Sequence, residues 1–220
     1  MKFNKKKVFA VALAVCLIAT LSLGTLAWFS AEDKVENNFL VAGSDDANPD
    51  KIFSVDVWEK TPESDKDTDG YEYANILPGD ELKKDVYVEN TGSYDQYIRI
   101  IVEISDAAAW HSAVGRDYAF ENCFVGFSED MWTHIGVNYF PVDDKIVVVA
   151  YYDGVLEPGK TLTPFSAVKI PESLTQDQAA AFEGGFSINV KAHAVQTKNV
   201  GNSAYEAFKT VAWSSLEEYK

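Results

Sequence analysis

Residues 97–104, which read YIRIIVEI, decide the fold class of this chain. Every second side chain from position 98 onward is apolar and β-branched, whereas Arg99 and Glu103 alternate with them. Successive side chains of a β-strand point to opposite faces, so this pattern predicts a half-buried strand. We expect one face of the strand in an apolar core and Arg99 and Glu103 on the other face.

Strand patterns recur along the rest of the chain. The same period-two alternation occupies residues 53–58, 85–89 and 186–194. Residues 145–152, KIVVVAYY, are continuously apolar after the first lysine, which is typical of a strand covered on both faces. Weaker strand candidates are residues 124–127, 135–140 and 162–170.

Turn sequences separate these runs. Pro78-Gly79 and Pro158-Gly159 each lie just before a predicted strand. Proline presets φ and glycine accepts a positive φ at the next position, so each pair predicts a type II turn. Asn90-Thr91-Gly92 closes the strand that follows the first pair. Many short strands with frequent turns predict an all-β fold, an antiparallel β-sandwich of two sheets packed face to face.

Helical patterns are few and short. Residues 173–182 form one candidate helix, with Ser173 as its N-cap and Gly184 as its stop. Residues 203–219 form a second candidate, and residues 106–114 a helical turn across one end of the sandwich.

The charge balance excludes one class of partner. The chain has 19 Lys and Arg residues against 34 Asp and Glu residues, a formal net charge of −15. Its arginines are Arg99 and Arg116 only. So acidic a chain repels phosphate backbones, and we therefore expect no binding to nucleic acid.

The first 27 residues resemble a signal peptide. Residues 1–7 are basic, residues 8–27 are mainly apolar, and small side chains precede the junction between Ala27 and Trp28. We predict cleavage at that junction by a signal peptidase, so that the protein contacts the membrane only through this segment before cleavage. The alternative is an uncleaved anchor, since about 20 apolar residues can cross a bilayer.

Removal of that segment leaves Cys123 as the one cysteine, which cannot close an internal disulfide. Phe124 and Val125 follow it, and no activating base is identifiable. We predict that Cys123 is a small buried apolar residue without catalytic chemistry.

Several local sequences carry a resemblance to a known family. The junction GTLAWFS at residues 24–30 is followed by NNFLVAG at residues 37–43. Later come the Pro-Gly-Asp turn, Asn-Thr-Gly, Tyr-Ile-Arg, and VKAHAVQ at residues 190–196. From the signal to Gln196, the chain resembles the TasA/camelysin family of bacterial exported proteins, whose signals are processed by a SipW-type signal peptidase.

The resemblance implies a jelly-roll β-sandwich that is secreted and acts outside the cell or at its surface. It implies a structural protein of the biofilm matrix, partnered by other copies of itself and by other matrix components. In fibre-forming members the segment exposed by cleavage is thought to act as a donor strand, which here is residues 28–43. Such a strand would gain main-chain hydrogen bonds, and its apolar side chains would fill pockets in the neighbour. Those side chains are Trp28, Phe29, Val35 and Phe39.

The alternative for residues 39–42 is the first strand of the chain's own sandwich. The resulting organisation has four parts: a signal peptide at residues 1–27, an N-terminal segment at 28–43, a sandwich domain at 44–200 and a helical tail at 201–220.

An enzyme is the less favoured interpretation. The camelysin branch has been described as metallopeptidase-like, but the histidines His111, His134 and His193 form no His-Glu-x-x-His motif. No nucleophile elbow, phosphate-binding loop or dinucleotide fingerprint occurs. We predict a protein that is not an enzyme, with a camelysin-like metallopeptidase as one alternative.

An acidic stretch suggests a cation site. Asp65, Asp67, Asp69 and Glu72 surround Gly70 in the manner of the first half of a calcium loop. The twelfth position is Ile76, so the bidentate carboxylate is missing and Glu72 would have to replace it. A solvated acidic loop without cofactor is the preferred interpretation, and a calcium-dependent surface binding module is the second alternative function.

Overall fold

The computed structural model describes residues 30–34, 37–38, 53–60, 65–67, 73, 76–114, 123–140, 143–180, 182 and 185–210. For residues 30–34, 37–38, 113 and 114 the backbone alone is described. The predicted signal peptide and its cleavage site at Ala27 and Trp28 lie outside these ranges.

Twelve strands and three short helices occur in the described residues. The strands are β1 (Ser30–Lys34), β2 (Asn37–Asn38), β3 (Asp56–Lys60), β4 (Glu81–Lys83), β5 (Asp85–Glu89), β6 (Gln96–Ser105), β7 (Phe124–Val125), β8 (Trp132–Phe140), β9 (Lys145–Tyr152), β10 (Thr161–Leu162), β11 (Ala167–Lys169) and β12 (Ile188–Gln196). The helices are α1 (Ala107–Val114), α2 (Gln176–Ala180) and α3 (Ala204–Thr210).

The strands form one large sheet and two small ones. The large sheet has the order β2-β1-β12-β6-β9-β8, and the small sheets have the orders β10-β5-β3 and β4-β11-β7. Every strand pairing among them is antiparallel. The all-β prediction is therefore confirmed.

One apolar core lies between the large sheet and the small sheets. The large sheet contributes alternate residues of its central strands, including Ile100 of β6, Val148 of β9 and Ala192 of β12. The small sheets contribute residues such as Val57 of β3 and Val88 of β5. All five are fully buried, so the alternating faces read from the sequence are the faces that form the core.

Both Pro-Gly pairs form the predicted turns. Gly79 has a φ of 90° and Gly159 a φ of 70°. The Asp80 amide donates to the Leu77 carbonyl at 3.1 Å, and the Lys160 amide donates to the Glu157 carbonyl at 3.1 Å. These bonds close four-residue turns in which a residue with a Cβ would be strained at the glycine position.

The candidate strand at residues 162–170 is divided between two sheets. Its first part is β10 and its last part is β11, with Pro164 between them. Proline has no N–H to donate to a ladder, which favours the break at that point. Phe165 beside it is fully buried and meets the Phe124 ring edge to face at 4.8 Å. The break therefore lets one segment serve both small sheets.

Two of the three helices begin at a hydroxyl cap. The Ser203 hydroxyl accepts the Glu206 amide at 3.3 Å at the start of α3. At α2 the predicted cap was wrong: Thr175, not Ser173, accepts the Gln178 amide, at 3.3 Å. The Thr175 amide in turn donates to the Gln178 Oε1 atom at 2.9 Å, which completes a reciprocal capping box. Within the described ranges, no helix combines the length and apolar character needed to cross a bilayer.

Two valines that lie directly opposite each other on β8 and β9 allow a test of where the core lies. Val148 of β9 is fully buried, whereas Val137 of β8 is 50% exposed. We expect Val148→Ala to lower the free energy of unfolding by about 2 kcal/mol, since burial of a valine contributes roughly that much. Val137→Ala, the matched control, should change it by less than about 0.5 kcal/mol. Denaturant unfolding measures both, and equal losses would contradict this placement of the core.

Candidate functional site

The N-terminal strand lies on a flank of the large sheet. Strand β1 pairs antiparallel with β12, with Ser30 opposite Val195 and Lys34 opposite Lys191. Strand β2 then pairs with β1 through Asp33 and Asn38. Trp28, Phe29, Val35 and Phe39, the four predicted assembly residues, lie outside the described residues. The structure therefore locates the middle of the predicted donor segment on its own sheet, and its proposed exchange stays a prediction.

The register aligns a row of polar residues across four strands of this sheet. Position 32, a glutamate, is directly opposite His193 of β12, and His193 is directly opposite Arg99 of β6. Arg99 is in turn opposite Tyr151 of β9. Directly opposed positions on antiparallel strands share a face, so these four positions form one line across the sheet.

Arg99 and His193 are buried, each only 1% exposed. The sequence pattern correctly separates Arg99 from the apolar face of β6, but the prediction of a half-buried strand was wrong. Seven of the first eight β6 residues are buried and the eighth is partly buried, because both faces of this strand are covered. Burial of an arginine is rare, since the guanidinium keeps its charge, and it requires hydrogen-bonding partners.

Helix α3 packs over the Arg99 side chain. The guanidinium carbon of Arg99 lies 4.7 Å from the centre of the Phe208 ring. A second apolar cluster surrounds this contact on the outer face of the sheet, and it joins the helix to β6 and β12. Its buried members are Tyr97, Val195, Val200, Ala204, Ala207 and Phe208. The signal for this cover lay in the apolar residues 204, 207 and 208, which fall in the predicted helical tail at residues 201–220.

A bulge in β8 adds a second contact to the helix. The register between β8 and β9 shifts between Thr133 and Gly136, and His134 there has a φ of 49°. The His134 ring meets the Tyr205 ring of α3 edge to face at 3.8 Å. Bulges re-aim side chains, and this one directs a histidine towards the helix.

The contact between Arg99 and His193 indicates which tautomer the histidine adopts. The Arg99 Nη2 atom contacts the His193 Nδ1 atom within hydrogen-bonding distance. Arginine can only donate, so Nδ1 must accept the hydrogen bond. An accepting Nδ1 belongs to the neutral imidazole that carries its proton on Nε2.

A neighbouring ion pair balances charge on the same sheet. The Lys191 Nζ atom of β12 lies 2.8 Å from the Glu103 Oε1 atom of β6, and both side chains are 15% exposed. Lys191 is opposite Lys34 in the β1 register. Glu103 thus neutralises the charge of Lys191.

The three histidines do not converge in the described part of the chain. His111 of α1 contacts Tyr139, His134 contacts Tyr205, and His193 contacts Arg99. No group of three His, Cys, Asp or Glu side chains suited to a metal ion occurs among the described residues.

The described part of the acidic stretch forms ion pairs and backbone bonds. Asp65 Oδ1 lies 3.1 Å from Lys60 Nζ, and this partner raises the pKa of the Lys60 ammonium. Asp67 and Glu59 exchange two backbone hydrogen bonds of 2.8 Å, so Asp67 forms a single bridge at the edge of β3. Asp69 and Glu72 lie outside the described residues, so the calcium site stays a prediction.

Cys123 is buried, 2% exposed, as predicted from the residues beside it. Burial disfavours the thiolate and raises the pKa of the thiol from 9.0 to about 11.

Comparison of the chain with protein-family models, with curated proteins and with solved structures found no match. The class of protein that is shown is thus the one the fold defines, an all-β antiparallel sandwich with three short helices in the described residues.

The raised pKa of Cys123 predicts an unreactive thiol. At pH 8 the folded chain should react with a thiol-specific disulfide reagent at least about tenfold more slowly than the unfolded chain, because the thiol is both protonated and covered. Since the folded pKa is raised, its contribution to stability is complete below pH 9.0 and declines as pH rises towards about 11. Cys123→Ala should remove that decline, and an equal decline in this variant would contradict the assignment.

The cover by α3 can be tested at its centre. Phe208→Ala should lower the free energy of unfolding by about 3–5 kcal/mol, because it removes a buried ring and uncovers Arg99. Lys209→Ala, one residue further and exposed, is the control and should cost less than about 1 kcal/mol. Denaturant unfolding monitors both variants. A small loss in Phe208→Ala would mean that α3 does not stabilise the sheet.

Proposed function

We propose that this protein is a secreted structural protein of a biofilm matrix or cell surface, and that it assembles into fibres by exchange of its N-terminal strand. The observation that carries the proposal is the pairing of β1 with β12 at a flank of the large sheet. Strand β1, together with β2 on its outer side, can leave without breaking the pairings among β12, β6, β9 and β8.

The pairing itself supports exchange between copies. Five residue pairs join β1 to β12, and a β1 strand from a second copy can make the same five pairs. Such exchange of an identical element preserves the contacts of the closed form, so its free-energy cost is low. When the exchange runs head to tail without closing on itself, the product is a filament.

The resemblance to the TasA/camelysin family suggests how the exchanging segment would become available. Processing between Ala27 and Trp28 would free the residues that precede β1, and the large aromatic side chains there would then be available to a neighbouring subunit. The formal net charge of −15 is compatible with a protein that stays soluble until assembly. Because the chain's own β1 competes for the same position, assembly should depend steeply on protein concentration.

A disulfide across the strand pair tests this proposal. Ala31 and Ala194 are directly opposite in the register of β1 and β12. In the processed chain beginning at Trp28, we would replace both with cysteine. Oxidation in dilute solution should lock β1 onto its own sheet and abolish filaments in electron micrographs, and reduction should restore them.

Oxidation after assembly gives the complementary result. If strands are exchanged, the cysteines then join neighbouring copies, and a non-reducing gel shows a ladder of covalent oligomers. Ala31→Cys alone is the control and should give no such ladder. A wild-type processed chain that remains monomeric at every concentration, or an assembled sample whose cysteines join only within one chain, would refute strand exchange.

A further inference from the structure

Residues 65–67, which we call the strap, contact the outer face of the small sheet β10-β5-β3. We propose that the strap is an electrostatic latch, which Lys66 closes over an aromatic pair on that face and which high salt opens. The latch involves only the small sheet and the strap, so it is independent of fibre assembly.

The outer face of strands β3 and β5 combines two carboxylates with two aromatic rings. These four residues alternate along their strands with core residues, so their side chains point outward. The Trp58 and Tyr87 rings stack there, with centroids 4.1 Å apart and planes inclined by 11°. Asp56 and Glu89 are directly opposite each other in the register. Like charges in that arrangement repel, so this face favours a cation between them.

Lys66 of the strap supplies a cation. Its Nζ atom lies 2.9 Å from the Glu89 Oε2 atom and 3.8 Å from the Asp56 Oδ2 atom. The same ammonium lies 5.4 Å from the centre of the Trp58 ring, within the range of a cation–π contact. The two carboxylate side chains are each 28% exposed and the lysine is 47% exposed, so dissolved ions can reach this contact and weaken it. An open strap would leave the Trp58 ring accessible to solvent on the side of the ammonium.

Two further contacts hold the strap, and they provide the competing explanation for its position. Asp67 and Glu59 exchange two backbone hydrogen bonds of 2.8 Å. Lys60 Nζ lies 3.1 Å from Asp65 Oδ1, whose side chain is 93% exposed. If these contacts were sufficient, Lys66 would be incidental. The Asp67 amide reports on the strap under either explanation, because its hydrogen exchanges with solvent when its bond to the Glu59 carbonyl opens.

Hydrogen exchange at the Asp67 amide tests the latch. Lys66→Met removes the charge but keeps an unbranched side chain, and it should accelerate this exchange roughly fivefold or more, because both the ion pair and the cation–π contact are lost. Lys60→Met, the matched control, removes the same charge from the pair with exposed Asp65 and should change the rate by less than about twofold. Lys66→Arg keeps the charge and should retain most of the protection. Amides of β6 in the large sheet are the reference and should change by less than about twofold in every variant.

Salt and a second variant identify the contact that closes the strap. Raising NaCl from about 0.01 M to about 1 M shortens the screening length from about 30 Å to about 3 Å. In the wild-type chain this should accelerate exchange at Asp67 about threefold or more, whereas in Lys66→Met it should have less than about a twofold effect. Glu89→Gln should also accelerate exchange, and the double variant should exchange no faster than Lys66→Met alone, because the two substitutions remove one contact.

Several results would overturn the latch. These are equal effects of Lys66→Met and Lys60→Met, a wild-type rate that does not respond to salt, rates that multiply in the double variant, and faster exchange of the β6 reference amides together with that of Asp67.

Calcium distinguishes the latch from a metal-dependent loop. We expect equal exchange at the Asp67 amide in calcium and in chelator, because the Lys66 ammonium closes the strap without a metal ion. Protection that disappears in chelator would overturn the latch and support a calcium site in the acidic stretch.

Discussion

The burial of Arg99 constrains the outer face of the large sheet, where α3 packs. Its strand, β6, is the third of four strands in the polar row, and its guanidinium lies between the sheet and the Phe208 ring. A permanent charge in such a place needs a cover that excludes water and partners that accept its hydrogen bonds. Helix α3 supplies the cover and His193 supplies one acceptor. Helix α3 and strand β12 thus both contact the Arg99 side chain.

Much of the sandwich follows from local patterns alone. The alternation in residues 97–104 correctly identifies the core face of β6, and the continuous apolar run in residues 145–152 correctly indicates a strand covered on both faces. The positive φ of Gly79 and of Gly159 agrees with the turn chemistry of their Pro-Gly pairs. These features were predictable because each depends on neighbours within a few residues, where side-chain alternation and φ preferences act directly.

The features that the sequence analysis missed depend on distant contacts. Arg99 has the position of a surface residue in the pattern of β6, and only the packing of α3, about a hundred residues later, makes it a buried one. Thr175 is the cap of α2 in place of Ser173, two residues earlier, although each is followed by a glutamine three residues later, so the local sequence does not decide between them. The predicted assembly residues lie outside the described residues, so their role stays a prediction.

The two flanks of the large sheet differ in a way that bears on exchange. Strand β8, at one flank, has a bulge at His134, and Tyr205 of α3 contacts that histidine. His111 of α1 contacts Tyr139 of the same strand. Bulges and covering elements are devices that keep an edge strand from pairing with other chains. At the other flank, β1 pairs with β12 over five residues. The two residues of β2 pair with β1 on its outer side. In the fibre that we propose, an edge protected at β8 and an exchange of β1 at the other flank would together direct growth one way, as a head-to-tail filament requires.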